Sequence, residues 1–308
     1  MSDRTSGSGT GGAPAGGATD PIGLAAILGA LSIWGFAVLF FKALEGVPPI
    51  EVICHRIVWT SLFVGLWLAA TGRLGEVRAA LTTPSVLARL TLSALLIGGN
   101  WLVFVWAIGE ARVLEVSFGY FITPIATVGL GYLVLGERGS RRQAIALGLA
   151  VLAISVQATG LTGFPFVSLF LALSFSVYGL IRKTVDVRPS PGLLVESLLL
   201  APLAIGYLVW LDVNGTGHFL GTPATTSLLV ATGIITALPL ILFATGARRL
   251  PLSTVGILHY LSPSIHFLLA VTVLGEPLTT IRLASFAIIW ISLAVFASDL
   301  LARRRSGS

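Results

Sequence analysis

The feature that most constrains this chain is its succession of uninterrupted apolar runs, such as Ala144–Val156 and Ile288–Ala297. A membrane-spanning α-helix needs roughly 20 mostly apolar residues. Ten segments qualify: 22–41, 50–70, 87–108, 113–134, 141–159, 166–182, 192–211, 226–246, 252–272 and 280–299. A β-barrel would alternate apolar and polar positions over about ten residues, and these runs do not. The expected fold is an all-α polytopic membrane protein with ten transmembrane helices. The connecting loops are short, so none holds a separate soluble domain. Only 10% of the 308 residues are charged, against about 25% in a soluble domain. That excludes a soluble enzyme and a disordered chain. The single cysteine, Cys54, excludes an internal disulfide.

Residues 1–20 are rich in Gly, Ser and Thr and read as a disordered tail. Asp20-Pro21 reads as a helix start, an N-cap residue followed by proline. No basic stretch directly precedes the first apolar run, so that run is expected to be retained rather than cleaved as a signal peptide. Residues 301–308 form a short basic tail.

Basic residues in short loops mark the cytoplasmic side. With the N-terminus inside, fifteen of the 19 Lys and Arg residues fall on that side. Three, Lys42, Arg112 and Arg282, fall outside, and Arg56 lies within the second span. The net charge of +6 is therefore a topology signal and does not point to nucleic acid. Both termini are expected in the cytoplasm.

An internal repeat is visible at an offset of 139 residues. Val113–Glu137 then lies over Leu252–Glu276 without a gap, with seven of 25 positions identical, including Pro124/Pro263 and the two Leu-Gly-Glu ends. The domain reading is two five-helix repeats, 21–159 and 160–300. Five is odd, so the second repeat enters the membrane inverted. Secondary transporters use such repeats to alternate access around a central site.

Helix breakers recur in matched places. Pro124 and Pro263 sit mid-span, and Pro239 overlies Asn100, which follows Gly98-Gly99. A mid-span proline frees a carbonyl four residues earlier and kinks the helix. Pro124, Pro239 and Pro263 are the hinge candidates. Ionisable residues within spans cost about 2.5–3.5 kcal/mol at mid-membrane and so face the interior. Glu51 and His55 share a face of the second span, with Arg56 beside them. His259 and His266, seven apart, share a face of the ninth. The substrate-cavity candidates are His55, Arg56, Asn100, Trp101, Tyr120, His259 and Tyr260. Glu196 and His259 are the proton-coupling candidates, His259 because imidazole titrates near neutrality.

Several apparent motifs carry no chemistry. Gly7–Gly12 matches a dinucleotide fingerprint but lies in the tail with no strand before it. No phosphate-binding loop, zinc-protease helix or nucleophile elbow is present. No catalytic residue, metal site or cofactor is therefore expected. Small residues on several spans permit tight packing within the chain or in a homodimer.

The residues resemble the RarD-like group of the EamA family, within the drug/metabolite transporter superfamily. The resemblance covers residues 21–300. It rests on His55-Arg56-Ile57-Val58-Trp59, Leu96-Ile97-Gly98-Gly99-Asn100-Trp101, Leu114-Glu115 and Gly119-Tyr120-Phe121-Ile122 with Pro124. Leu135-Gly136-Glu137-Arg138, Phe175, Tyr178-Gly179-Leu180, Arg182-Lys183, Leu252-Ser253-Thr254, Tyr260 and Pro263 complete it. Thr123 and His259 depart from the expected Asn and Gln. The resemblance implies a bacterial inner-membrane protein of ten helices, with two inverted halves around a central cavity. The expected function is secondary transport of a small metabolite or drug by alternating access, driven by the substrate gradient or by protons. The rival reading is a membrane-embedded enzyme or lipid-handling protein using the same cavity. The expected partners are a small-molecule substrate and the lipid bilayer.

Overall fold

The structure, a computed structural model, describes residues 20–110, 112–158, 164–273 and 280–306. Glu276 and nearly all of the N-terminal tail lie outside the described residues, as do the side chains of Arg303–Arg305. Among the described residues every regular element is helical. The first six are α1 (Pro21–Lys42), α2 (Pro49–Ala70), α3 (Leu74–Thr82), α4 (Pro84–Gly109), α5 (Val113–Leu133) and α6 (Arg141–Ala158). The second six are α7 (Phe166–Thr184), α8 (Pro189–Val213), α9 (Pro223–Arg249), α10 (Leu252–Leu258), α11 (Leu261–Thr272) and α12 (Thr280–Ser306).

Among the described residues eight helical segments are long and apolar enough to cross a membrane, with α10 and α11 together forming one of them. The remaining two expected spans are weaker. In α5 the apolar stretch shortens to Phe118–Leu133, and α6 carries Arg141, Arg142, Gln143 and Gln157 within its eighteen residues. The outward faces of the helices are apolar. Leu203 is 77% exposed and Leu133 86%. Apolar surface on this scale marks contact with lipid rather than water. The chain is a multi-pass membrane protein.

Local chemistry explains the ends. Asp20 caps α1 by accepting from the amides of Ile22 (2.9 Å) and Gly23 (3.0 Å), as its position before Pro21 implies. The Gly23 amide holds the Asp20 carboxyl below its usual range, with Arg249 adding to the effect. Thr222 caps α9 through the Thr225 amide at 3.1 Å. Hydropathy gives no sign of the short helix α3. It buries Val77 and Ala80, while Glu76 pairs with Arg73 at 2.8 Å. The hydrogen bond from Arg73 lowers the Glu76 carboxyl pKa.

The prolines behave differently from one another. α5 and α9 run unbroken through Pro124 and Pro239. The expected ninth span does break, at His259-Tyr260, one turn before Pro263. Pro263 has no N–H to offer the His259 carbonyl, so the ladder tightens there. The Tyr260 amide bonds to Ile257 and the Ser262 amide to His259, each three residues back.

Packing pairs α1 with α9 and α4 with α7, α5 with α7 and α1 with α11, and α2 with α9 and α4 with α8. It also joins α2 to α8, α6 to α12 and α5 to α10. Glycines bring two of these crossings close. A Cβ on Gly256 of α10 would sit 2.7 Å from the Pro124 carbonyl oxygen of α5, and one on Gly233 of α9 2.6 Å from the Trp59 backbone of α2.

One end of the bundle, where α1 begins, is tied by polar bonds. Arg249 reaches Asp20 at 3.2 Å. Lys183 donates to the carbonyls of Ala247 and Leu250, and Arg248 to those of Val185 and Val187. Glu137 accepts from the Leu252 amide, the Ser253 amide and the Ser253 hydroxyl at 2.7–2.9 Å.

Candidate functional site

Arg56 leaves α2 toward the middle of the bundle. Its Nε donates to Thr236 Oγ1 of α9 at 2.9 Å. Its Cζ lies 4.4 Å from the ring centre of Trp101 on α4 and 5.2 Å from that of Phe41 on α1. Tyr120 of α5 is near enough to interact with its charge. Among the described residues no carboxylate lies within ion-pair distance of Arg56. The cation is held by aromatic faces and one hydroxyl. Cation–π contacts of this kind contribute up to about 2 kcal/mol when desolvated.

Arg56, Trp101 and Thr236 line a cavity of about 10 Å³ with Tyr178, Glu196 and Ser197. That is room for roughly one water, so the helices are drawn in around it. At its floor Glu196 of α8 accepts through Oε1 from Ser93 of α4 (2.6 Å) and from Arg182 Nη1 of α7 (3.4 Å). Arg182 also donates to the Pro189 carbonyl at 2.7 Å. Both side chains of the pair are buried, at 1% and 3% exposure. Gly192 makes room for the guanidinium, because a Cβ there would collide with Arg182 Nη1. Among the described residues Glu196 Oε2 and Arg182 Nε find no partner.

Beside the cavity His259 sits among Trp34, Phe175 and Phe243, with ring centres 5.2–6.2 Å away. Its Nδ1 is buried and finds no partner among the described residues. His266 Nε2 lies 3.0 Å from the Trp34 carbonyl, and its ring 6.3 Å from Tyr120. Both histidines therefore lie against Trp34 despite the break between α10 and α11.

The sequence candidates separate into groups. Arg56, Trp101 and Glu196 line one cavity, and Tyr120 lies near enough to feel the Arg56 charge. His259 lies in the neighbouring aromatic cluster. Asn100 points elsewhere: it donates to the Leu171 carbonyl (2.9 Å) and Ser174 Oγ (2.8 Å), clamping α4 to α7. Tyr260 is 1% exposed and packs against Phe121 in a separate apolar cluster that also holds Phe286. His55, one position before Arg56 on α2, turns its ring to different neighbours. It accepts from Trp59 Nε1 at 3.2 Å and stacks on Phe219 at 4.9 Å. Glu51 next to it binds the His218 amide and ring at 2.7 and 2.9 Å. Thr236, Phe41 and Arg182 are site residues that sequence reasoning misses. Arg182 reads in the sequence as one more basic residue at a helix end, and nothing in that pattern marks it as buried.

The comparisons decide the family. The chain matches the EamA-like transporter family over residues 21–159. It is 41% identical over 285 residues to Protein RarD of Salmonella typhi, covering 92% of this chain and 97% of that protein. It is 39% identical over 287 residues to Protein RarD of Escherichia coli (strain K12), covering 93% and 97%. The chain belongs to the EamA family. A further member, the Chloramphenicol-sensitive protein RarD of Pseudomonas aeruginosa, is 33% identical over 264 residues, covering 84% and 88%. A solved crystal structure 20% identical in sequence superposes on this EamA chain with a TM-score of 0.67, over 92% of this chain and 97% of that one. At that identity the likeness concerns the fold alone. Membership of the EamA family makes this a transporter-type membrane protein with a small-molecule substrate.

Proposed function

We propose that the chain is a secondary transporter that moves a small metabolite or drug across the bacterial inner membrane by alternating access. Ten spans form two inverted five-helix halves, with both termini in the cytoplasm. The pattern of helix packing supports this reading. Exchanging α1 with α7, α2 with α8, α4 with α9, α5 with α10 and α11, and α6 with α12 turns the most extensive packed pairs, those named above, into one another; the lesser α7–α9 contact and those of α3 lie outside the pattern. Such an exchange is what a two-fold axis between inverted repeats produces. In this reading α5 and α6 span despite their weaker hydropathy, because they are the partners of α10, α11 and α12.

The observation that carries the site is Arg56, an ionised side chain inside a span with no carboxylate within ion-pair distance among the described residues. Cations so placed are costly and mark substrate paths. Trp101 and Glu196 line the same cavity, and Tyr120 lies close to it. Substrate and proton gradients are the candidate driving forces, with Glu196 and His259 the groups placed to carry a proton. The break before Pro263, together with Pro124 and Pro239, gives the halves places to bend. A homodimer is compatible with the small residues on several spans.

Exchange in proteoliposomes tests the proposal. The purified chain is reconstituted, loaded with a labelled cell extract, and scored for solutes that leave faster than from empty vesicles. At least one solute class is expected to exchange, and Arg56→Ala and His259→Ala are expected to slow it. Exchange at the wild-type rate in both variants would sink the site assignment.

A further inference from the structure

We propose that the ligand of the Arg56 site is an organic monocarboxylate with a flat apolar body. This rests on the transporter reading only in taking Arg56 as a ligand contact.

Arg56 and Arg182 differ in how many partners they find. A guanidinium has five N–H groups. Arg56 commits Nε to Thr236. Its Nη groups meet no protein acceptor among the described residues, and neither is sealed away from open space. The second arginine, Arg182, is matched by Glu196 and the Pro189 carbonyl. The chain thus supplies a counter-ion for one arginine and withholds it from the other. The free edge of Arg56 presents two parallel donors, the geometry that takes a carboxylate by a bidentate pair.

Glu196 then limits the charge. It lines the same cavity as Arg56, and its Oε2 has no partner among the described residues. A second negative charge on the ligand would face this carboxylate where charges are poorly screened. A monoanion places its one charge on Arg56, whereas the second charge of a dianionic phosphate ester meets no further unmatched arginine, because Arg182 is already paired with Glu196. The walls set the rest of the molecule. Trp101 and Phe41 cover the guanidinium, and Ile57, Ile97, Leu200 and Leu240 line the space. They suit a flat apolar body lying beside the Trp101 ring. The cavity is contracted, so such a ligand enters as the surrounding helices separate.

Calorimetric titration of the purified full chain in detergent tests this with three probes: 3-phenylpropionate, its uncharged amide, and phenyl phosphate. The acid is expected to bind at least about tenfold more tightly than the amide, the scale of a charge-assisted hydrogen bond. Phenyl phosphate is expected to bind more weakly than the acid. Arg56→Gln should erase the acid's advantage, and Arg56→Lys should restore only part of it. Thr236→Val, which removes only the Nε acceptor, should weaken acid binding severalfold and leave the amide unchanged. It keeps the test decisive if Arg56→Gln does not fold. Glu196→Gln should raise phenyl phosphate binding relative to the acid.

Equal binding of acid and amide, an acid advantage that survives Arg56→Gln, or no acid binding at millimolar concentration would each overturn the proposal. No gain for phenyl phosphate in Glu196→Gln overturns the charge limit. Because binding is read without flux, the two readings fail separately. Acid binding without exchange in vesicles sinks transport alone. Exchange of neutral solutes with no acid preference sinks this inference alone.

Discussion

The Tyr260 hydroxyl donates a 2.9 Å hydrogen bond to the Phe121 carbonyl, 139 residues earlier in the chain. That separation is the offset at which the two sequence halves superpose, so these are equivalent positions meeting each other. Their rings stand edge to face at 6.5 Å. Tyr260→Phe keeps the ring and leaves the Phe121 carbonyl without this donor. The expected loss is about 1–2 kcal/mol, read as a lower unfolding temperature in detergent. Ligand affinity should not change, since neither group borders the Arg56 cavity.

Glu137 holds the start of α10 with three hydrogen bonds. Two of them satisfy backbone amides that α10 itself cannot. Glu137→Ala is expected to cost about 1–2 kcal/mol, the scale of a lost helix cap. It should also raise the rate at which thiol reagents modify a cysteine placed at Ser253 relative to the same cysteine beside intact Glu137. Equal modification rates would show that this end stays closed without Glu137.

The Arg182–Glu196 pair makes an asymmetric prediction. Removing one member leaves the other charge buried and unpaired, which costs about 3–5 kcal/mol. Glu196→Ala and Arg182→Ala should each express poorly or unfold early. The double replacement Arg182→Met with Glu196→Leu should recover much of that loss, since a well-packed apolar pair replaces a buried ion pair at little cost. A double variant as unstable as the sum of the singles would show that the pair does more than neutralise itself.

Close helix crossings respond to one added methyl group. At Gly256 the obstacle is the Pro124 backbone carbonyl, which cannot rotate aside. Gly256→Ala should therefore cost about 1–3 kcal/mol by forcing α10 from α5. A Cβ on Gly148 of α6 would meet nothing within 4 Å. Gly148→Ala should be neutral or stabilise by up to about 1 kcal/mol through helix propensity. Thermal unfolding of the two variants side by side checks the contrast.

Much of the architecture is legible in the sequence. The apolar runs locate the helices, Asp20-Pro21 marks the first start, and Arg56 stands out as the basic residue within a span. The Leu-Gly-Glu end is visible too, but only as a repeat marker. Its carboxylate finds its role 115 residues away, on the Leu252 amide. Asn100 shows the converse. Its place after two glycines suggests a cavity, yet its amide is spent on clamping α7. Hydropathy reports how much a residue avoids water and says nothing about which neighbour it meets. That is also why Arg182 passes as a helix-end charge and α3 passes as a loop.

The sequence alone determined that this chain is helical and immersed in lipid. Long apolar stretches leave the backbone no solvent to bond to, and a helix satisfies its own amides within each segment. Only the tertiary structure decided which of the few polar groups share a site. Arg56 and Thr236 are 180 residues apart and meet at 2.9 Å, while Asn100, adjacent in sequence to Trp101, turns away from the cation that Trp101 covers. Those choices depend on how the helices rotate and cross, which is set by the packing of all of them together.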